Sequence, residues 1–306
     1  MRVLLIAGGW SNEREVSLSG AAKIHEALLR LGYKVTRLDP AERFDDILEL
    51  ASDSDFAFIN MHGTPGEDGL VQAMLEQVDC PYQGSGPKAS FLALNKACAK
   101  QVFARAGIPT PRWEYLPRRP QAGWSTKLRF PLFVKPNMGG SSLDLCRADN
   151  AEELTPAIER IFSRGETVLL EEGVNGQEVT SAILGDKALP LILIQPAGCA
   201  FFDYRCKYTQ GGAKEICPAP IPERTARRVQ ELSMRAHKAM KLRGYSRSDF
   251  MLEGDEPYIL EVNTLPGMTP TSLVPQAAHE AGLDFDALIK RLMDLGLEAH
   301  GRKSEI

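Results

Sequence analysis

The sequence has no long apolar run. Stretches such as Leu189 to Ile194 fall far short of the roughly 20 residues that cross a bilayer. It has no basic excess either: 36 Lys and Arg stand against 40 Asp and Glu, a net charge of −4. That balance points to neither nucleic acid nor an anionic membrane, though it leaves room for a local cationic site. The six cysteines (80, 98, 146, 199, 206, 217) form no C-x-x-C and no metal-finger spacing. They read as reduced thiols, which imply the cytoplasm. Met1 to Ile6 runs directly into a glycine turn and reads as a strand rather than a signal peptide. Gly8-Gly9 invites a dinucleotide reading, yet neither G-x-G-x-x-G nor G-x-x-x-x-G-K-[ST] occurs.

What is there is ordinary for a globular protein: 306 residues, 43% hydrophobic and 25% charged. That length suits two or three packed units. Strands are expected at Val3–Ala7, Lys34–Leu38 and Phe56–Asn60. A helix between the first two is expected to be capped by Ser17 or Ser19 and stopped by Gly32. Strands alternating with helices indicate a parallel sheet with ligands at the carboxyl ends of its strands. Glu13-Arg14-Glu15-Val16-Ser17 and His62-Gly63-Thr64-Pro65-Gly66-Glu67-Asp68-Gly69 lie at those ends. His62 would serve a turn or a substrate equally well.

A helix is expected over Ser90–Ala106, with Lys96 inside it, followed by a proline-rich linker. Phe130–Pro136 reads as a strand ending at Lys135. The turn Asn137-Met138-Gly139-Gly140-Ser141-Ser142 could cradle phosphate through its amides. A helix at Ala151–Phe162 precedes strands at Thr167–Glu172, Glu178–Leu184 and Lys187–Ile194, the last two antiparallel. Residues 201–212 make an aromatic and basic loop long enough to serve as a lid. A helix from Pro222 or Glu223 to Leu242 leads into two strands joined by Glu253-Gly254-Asp255-Glu256. Those strands carry Arg247, Asp249, Glu261 and Asn263. Two carboxylates and an amide oxygen suit Mg²⁺ bound together with phosphates. They would also suit a solvated amphipathic hairpin, but the order Arg-x-Asp, Glu-x-Asn, Pro266-Gly267-Met268 favours the metal.

Taken in order, these motifs resemble the D-alanine–D-alanine ligases, ATP-grasp enzymes of bacterial peptidoglycan (cell-wall) synthesis. The similarity runs from Glu13 to the Ser272 region. It implies an N-terminal parallel, Rossmann-like pre-ATP-grasp domain (residues 1–86). A two-part ATP-grasp domain with antiparallel sheets would follow, a central part at 87–174 and a C-terminal part at 175–306. It implies ATP-dependent joining of two D-alanines through a D-alanyl phosphate. Lys96, Lys135 and Lys207 would contact ATP phosphates, Glu171 and Val174 the adenine, and Glu178 the ribose. Asp249, Glu261 and Asn263 would hold two Mg²⁺ or Mn²⁺ ions. Glu13 would bind the first D-alanine's ammonium, linked to Ser141 and Tyr208, with His62 beside it. Arg247 and the Gly267 amide would stabilise the oxyanion, and Ser272 would take the second substrate's carboxylate. The family also implies a homodimer.

The chain departs from the family pattern in its phosphate loop. Gly139 stands where an acid is usual, and Leu143-Asp144 replace Val-Gly. Asp144 could repel phosphate or restrict the loop. Gly173 replaces a larger residue near the base. Two alternatives follow: a ligase with another acceptor, such as D-lactate or another amino acid, or a nucleotide-binding protein with weakened catalysis. Tyr208 goes with D-alanine as the acceptor.

Overall fold

A computed structural model describes residues 1–140, 144–196, 212–269 and 271–304. Three sheets organise the chain. The first joins β1 (Arg2–Gly8), β2 (Lys34–Leu38) and β3 (Phe56–Met61) in the parallel order β2-β1-β3. β1 and β3 are almost wholly buried, as strands covered on both faces must be. The helix Arg14–Arg30 covers them through Ala21, Ile24, Ala27 and Leu28. It starts earlier than the serine caps suggest. Ser17 lies in its first turn, where Oγ accepts from the Gly8 amide at 2.7 Å and donates to the Asn60 carbonyl. The hydroxyl therefore ties the helix to the ends of two strands instead of capping it.

The second sheet has the order β4-β7-β5-β6: Trp113–Leu116, Val168–Glu172, Leu132–Pro136 and Cys146–Ala148. All its pairings are antiparallel. The amphipathic helix Ala151–Phe162 packs Leu154, Ile158 and Ile161 beneath it, and Asn150 caps that helix by accepting from Glu153 N. The third sheet has the order β11-β10-β8-β12-β13, with β9 (Lys187–Ala188) against β8. Its other strands are β8 (Gln177–Leu184), β10 (Ile192–Pro196), β11 (Ala213–Ile216), β12 (Tyr245–Glu253) and β13 (Glu256–Asn263). The single strand expected at Lys187–Ile194 is thus two pieces. The helix Glu223–Ala239 covers one face with Val229, Leu232 and Ala236.

Three further features shape the fold around the site. The expected Ser90–Ala106 helix is broken at Asn95, which is extended (ψ 97°) between helices Pro87–Leu94 and Lys96–Arg105. Helix propensity alone hides this break. Asn95 prefers to cap, and its side chain accepts from Cys98 N at 3.1 Å. The break places Lys96 at the first position of a new helix rather than within a long one. The final helix, Phe285–Ser304, returns to the first sheet, so Leu288, Ile289 and Leu292 share one core with β1 and β3. Gly176, between β7 and β8, admits no side chain. A Cβ there would lie 1.7 Å from the Leu252 carbonyl oxygen.

Candidate active site

The β12–β13 hairpin sets the site. Register pairs Arg247 with Asn263 and Asp249 with Glu261, and an irregularity follows at Asp249/Phe250. Alternation along β12 gives it two polar faces. On one, Ser246 and Ser248 meet the covering helix: Ser246 Oγ lies 2.8 Å from His237 Nδ1, and Ser233 Oγ donates to Ser248 Oγ at 3.2 Å. On the other, Arg247 grips Asp249 with Nε to Oδ1 at 2.9 Å and Nη2 to Oδ2 at 2.8 Å. This two-point geometry is the strong form of an ion pair. Burial opposes the charge on Arg247, but Asp249 and Glu261 outweigh it and raise its pKa. Asn263 Nδ2 also donates to Asp249 Oδ2, at 3.2 Å.

Lys96 faces this hairpin from the broken helix. Its ammonium contacts the Gly139 carbonyl and stands 3.9 Å from Glu261. Asn137 holds it there. The Asn137 backbone carbonyl accepts from Lys96 N at 3.0 Å, and Oδ1 accepts from Ala97 N at 2.8 Å. Lys96, Glu67, Gly139, Gly140, Glu261 and Asn263 line one cleft. Lys135, at the end of β5, pairs with Glu171 on β7. Val174 follows that strand, and Glu178 lies on β8 opposite Met251. A Cβ on Gly173 would come within 3.1 Å of Pro131 and 3.3 Å of the Phe133 ring. Phe133 therefore fills part of the space a larger residue at 173 would need.

At the other end, Glu13 closes the loop before the first helix, and His62 and Glu67 come from the loop after β3. Glu13 Oε2 and Glu67 Oε2 each lie 3.9 Å from where a Gly140 Cβ would stand. His62 is buried. Burial lowers its pKa, partly offset by Glu13, so the ring is held neutral, and its Nε2 lacks a hydrogen-bond partner among the described residues. Glu67 accepts from Gly63 N at 2.7 Å. Burial and then Glu13 push its carboxyl up to about 7. Gly267 and Ser272 meet at the far side. Ser272 Oγ accepts from Thr269 N at 3.0 Å and would lie 2.9 Å from a Cβ at 267, so a side chain there would have to displace that hydroxyl.

Asp144 does not present a bare charge. Its carboxylate pairs with Arg164, and its backbone is left-handed (φ 59°), a conformation aspartate tolerates where glycine is the default. Ser141, Lys207, Tyr208 and nearly all of the expected lid lie outside the described residues.

The sequence profile of the D-ala D-ala ligase C-terminus matches residues 102–294. The chain is 59% identical over 303 residues to the D-alanine–D-alanine ligase of Nitratidesulfovibrio vulgaris, covering 99% of this chain and 100% of that one. The chain belongs to the D-alanine–D-alanine ligase family. It is also 58% identical, over its whole length, to the ligase of Oleidesulfovibrio alaskensis, covering 99% of that protein. The fold matches the crystal structure of D-alanine–D-alanine ligase from Bacillus anthracis with a TM-score of 0.90 at 36% identity. A second structure of that ligase, complexed with ATP, matches at 0.88 and 33%. Each alignment covers 99% of both chains. The architecture is therefore the ATP-grasp arrangement of these ligases: a parallel N-terminal sheet, then antiparallel sheets.

Seen as a ligase-family site, Asp249, Glu261 and Asn263 offer only oxygen donors suited to a hard cation. No group of three or more His, Cys, Asp or Glu that could hold a metal occurs among the described residues. A cation bound here would need further oxygens from a nucleotide, which fits how Mg²⁺ is usually shared with phosphates. Two residues escape the motif reading. Glu67 is hidden within a glycine-rich loop. Lys100 stands one helical turn beyond Lys96, a spacing that could have flagged it.

Proposed function

We propose that the chain joins two D-alanines into D-alanyl-D-alanine at the expense of ATP. Its relatives carry that activity in their names, and one arrangement in the structure supports it most directly. One cleft gathers Lys96, Glu67, Glu261 and Asn263; Asp249 and Arg247 lie on the strand paired with Glu261 and Asn263, and Glu13 and Arg247 both act on His62 and Glu67.

Charge decides the roles. A D-alanine carboxylate oxygen attacks the γ-phosphorus of ATP, and ADP leaves. Both partners are anionic, so Lys96, Lys135 and Lys207 screen them. Asp249, Glu261 and Asn263 would hold Mg²⁺ or Mn²⁺, which supplies further neutralisation of the phosphates. Glu171 and Val174 meet the adenine, and Glu178 the ribose. Glu13 receives the ammonium of the first D-alanine, in contact with Ser141 and Tyr208, while neutral His62 packs beside it without adding a competing cation. The amine of the second D-alanine attacks the acyl carbon, and Ser272 orients its carboxylate. The oxyanion forms beside Arg247, which stays charged at any working pH, and beside the Gly267 amide. Phosphate then leaves and the amine sheds its proton. Closure over the site would protect the acyl phosphate from water.

The same reading carries a division into parts at 1–86, 87–174 and 175–306, a cytoplasmic location and a homodimer. The pairing of Asp144 with Arg164 removes the charge argument for a nucleotide-binding protein with weakened catalysis. The test is phosphate release from ATP and Mg²⁺ with D-alanine, L-alanine, D-lactate or no addition. Release with D-alanine, accompanied by the dipeptide, is expected. Release independent of substrate, or faster depsipeptide formation with D-lactate at neutral pH, overturns the assignment.

A further inference from the structure

Among the described residues, Lys100 has the most enclosed charge that the mechanism leaves unused. Its side chain is wholly buried. An ammonium has three donors, and here three acceptors meet it: Glu171 Oε1, Thr110 Oγ1 at 2.7 Å and the Ile259 carbonyl at 3.3 Å. Thr110 Oγ1 itself donates to the Ile259 carbonyl at 2.7 Å. Lys100 thus joins the helix Lys96–Arg105 to β7 of the second sheet and β13 of the third. The other oxygen of Glu171 holds Lys135, whose side chain is less enclosed and whose ammonium has only this carboxylate as its partner among the described residues.

One carboxylate is therefore shared by two lysines of unequal freedom. Lys100 cannot leave without stranding its charge, because every donor is used in a dry site. Lys135 can leave, provided Glu171 keeps a cation. We propose that Lys100 is a positioning residue of the nucleotide site: it holds Glu171 ionised and in place, so that Lys135 can exchange that carboxylate for a nucleotide phosphate. This rests on the ATP-dependent reading above. Without Lys100, Lys135 would be the sole counter-charge of a buried carboxylate. Each nucleotide would then have to strip it away.

The experiment compares the full-length protein with Lys100→Met, with Glu171→Gln and with Lys100→Met/Glu171→Gln. The readouts are KM for ATP, KM for D-alanine and the affinity for MgADP. Lys100→Met is expected to weaken both nucleotide constants by at least ~tenfold, because a buried charge resists losing its only partner. KM for D-alanine should stay within about twofold, since uniform loss would mark general damage instead. Because Glu171 also meets the adenine, the double variant is judged against Glu171→Gln alone: with the carboxylate's charge gone and Lys135 freed, Lys100→Met should change MgADP affinity there by less than about threefold. Unchanged nucleotide constants in Lys100→Met overturn the proposal. So does a loss of MgADP affinity on Lys100→Met that is equally large with and without Glu171→Gln. If Lys100→Met does not fold, the double variant decides. Folding with the MgADP affinity of Glu171→Gln supports the proposal; failure to fold gives Lys100 a role beyond Glu171 and overturns it. Loss of the ligase reading would show separately, as absent D-alanine-dependent phosphate release by the unsubstituted protein, while MgADP binding still reports on Lys100.

Discussion

Glu171 and Glu67 are both buried carboxylates, 2% and 8% exposed, and they titrate in opposite directions. Burial raises both. At Glu171 two ammonium groups, those of Lys100 and Lys135, outweigh it and hold the carboxyl below its ordinary range. At Glu67 the next influence is another acid, Glu13, and the carboxyl rises to about 7. On the proposed function, the end that takes the nucleotide holds two ammonium groups on one carboxylate, and the end that takes the amino acid holds two neighbouring acids. That difference suits the two cargoes. A triphosphate needs cations already assembled, and an incoming ammonium needs acid to meet it.

The comparison breaks most sharply at Glu171. Glu171→Leu leaves Lys100 and Lys135 facing each other without a counter-charge in a dry site. A loss of about 3–5 kcal/mol in the free energy of unfolding is expected from urea titration. Glu67→Gln at pH 8, by contrast, should cost less than about 1 kcal/mol, since above pH 7 the raised carboxyl no longer contributes stability and Gln keeps an acceptor for Gly63 N. Equal losses would mean that the lysines do not make the difference.

Acid sharpens it further. Glu67 is raised from 4.5 to about 7, so the folded state prefers it protonated. Its contribution is complete below 4.5 and is lost as pH rises through 7. His237, on the far face of β12, is lowered by burial from 6.5 to about 4. Its contribution is complete above 6.5 and is lost as pH falls through 4. The two slopes oppose each other across the same window. Glu67→Gln removes one of them, so the variant should lose up to ~3 kcal/mol more than its parent between pH 7 and 4.5. Parallel stability curves for variant and parent would sink this account.

Much of this was legible in the sequence because it depends on local pattern. Alternation placed Arg247 and Asp249 on one face of β12, and turn residues set the β12–β13 hairpin. The parallel order of β1 to β3 followed from strands alternating with helices. What escaped depends on contacts distant in sequence. The helix break at Asn95 is stabilised by Asn137, 42 residues away, whose side-chain amide donates to Asn95 Oδ1. Lys100 reads as an ordinary solvated helix lysine until Glu171, 71 residues away, is brought against it. Glu67 likewise gains its raised pKa only when Glu13 arrives from another loop.

The phosphate loop gives the smallest expected effect, and it tests whether that matched-charge end tolerates an extra acid. Asp144 sits in the left-handed region that glycine also occupies, so Asp144→Gly asks no change of the backbone. The substitution removes the pair with Arg164, whose side chain is 58% exposed. An exposed pair of this kind is worth about 0–1 kcal/mol. Added backbone freedom in the unfolded chain costs a similar amount. Stability should therefore fall by no more than ~2 kcal/mol, and KM for ATP should move by less than about threefold. A tenfold fall in KM would mean that Arg164 does not neutralise Asp144 and that its charge reaches the nucleotide. Adding Arg164→Ala to the parent separates the cases. If the pair screens the loop, exposing Asp144 raises KM for ATP, and that rise disappears when Asp144→Gly is combined with it.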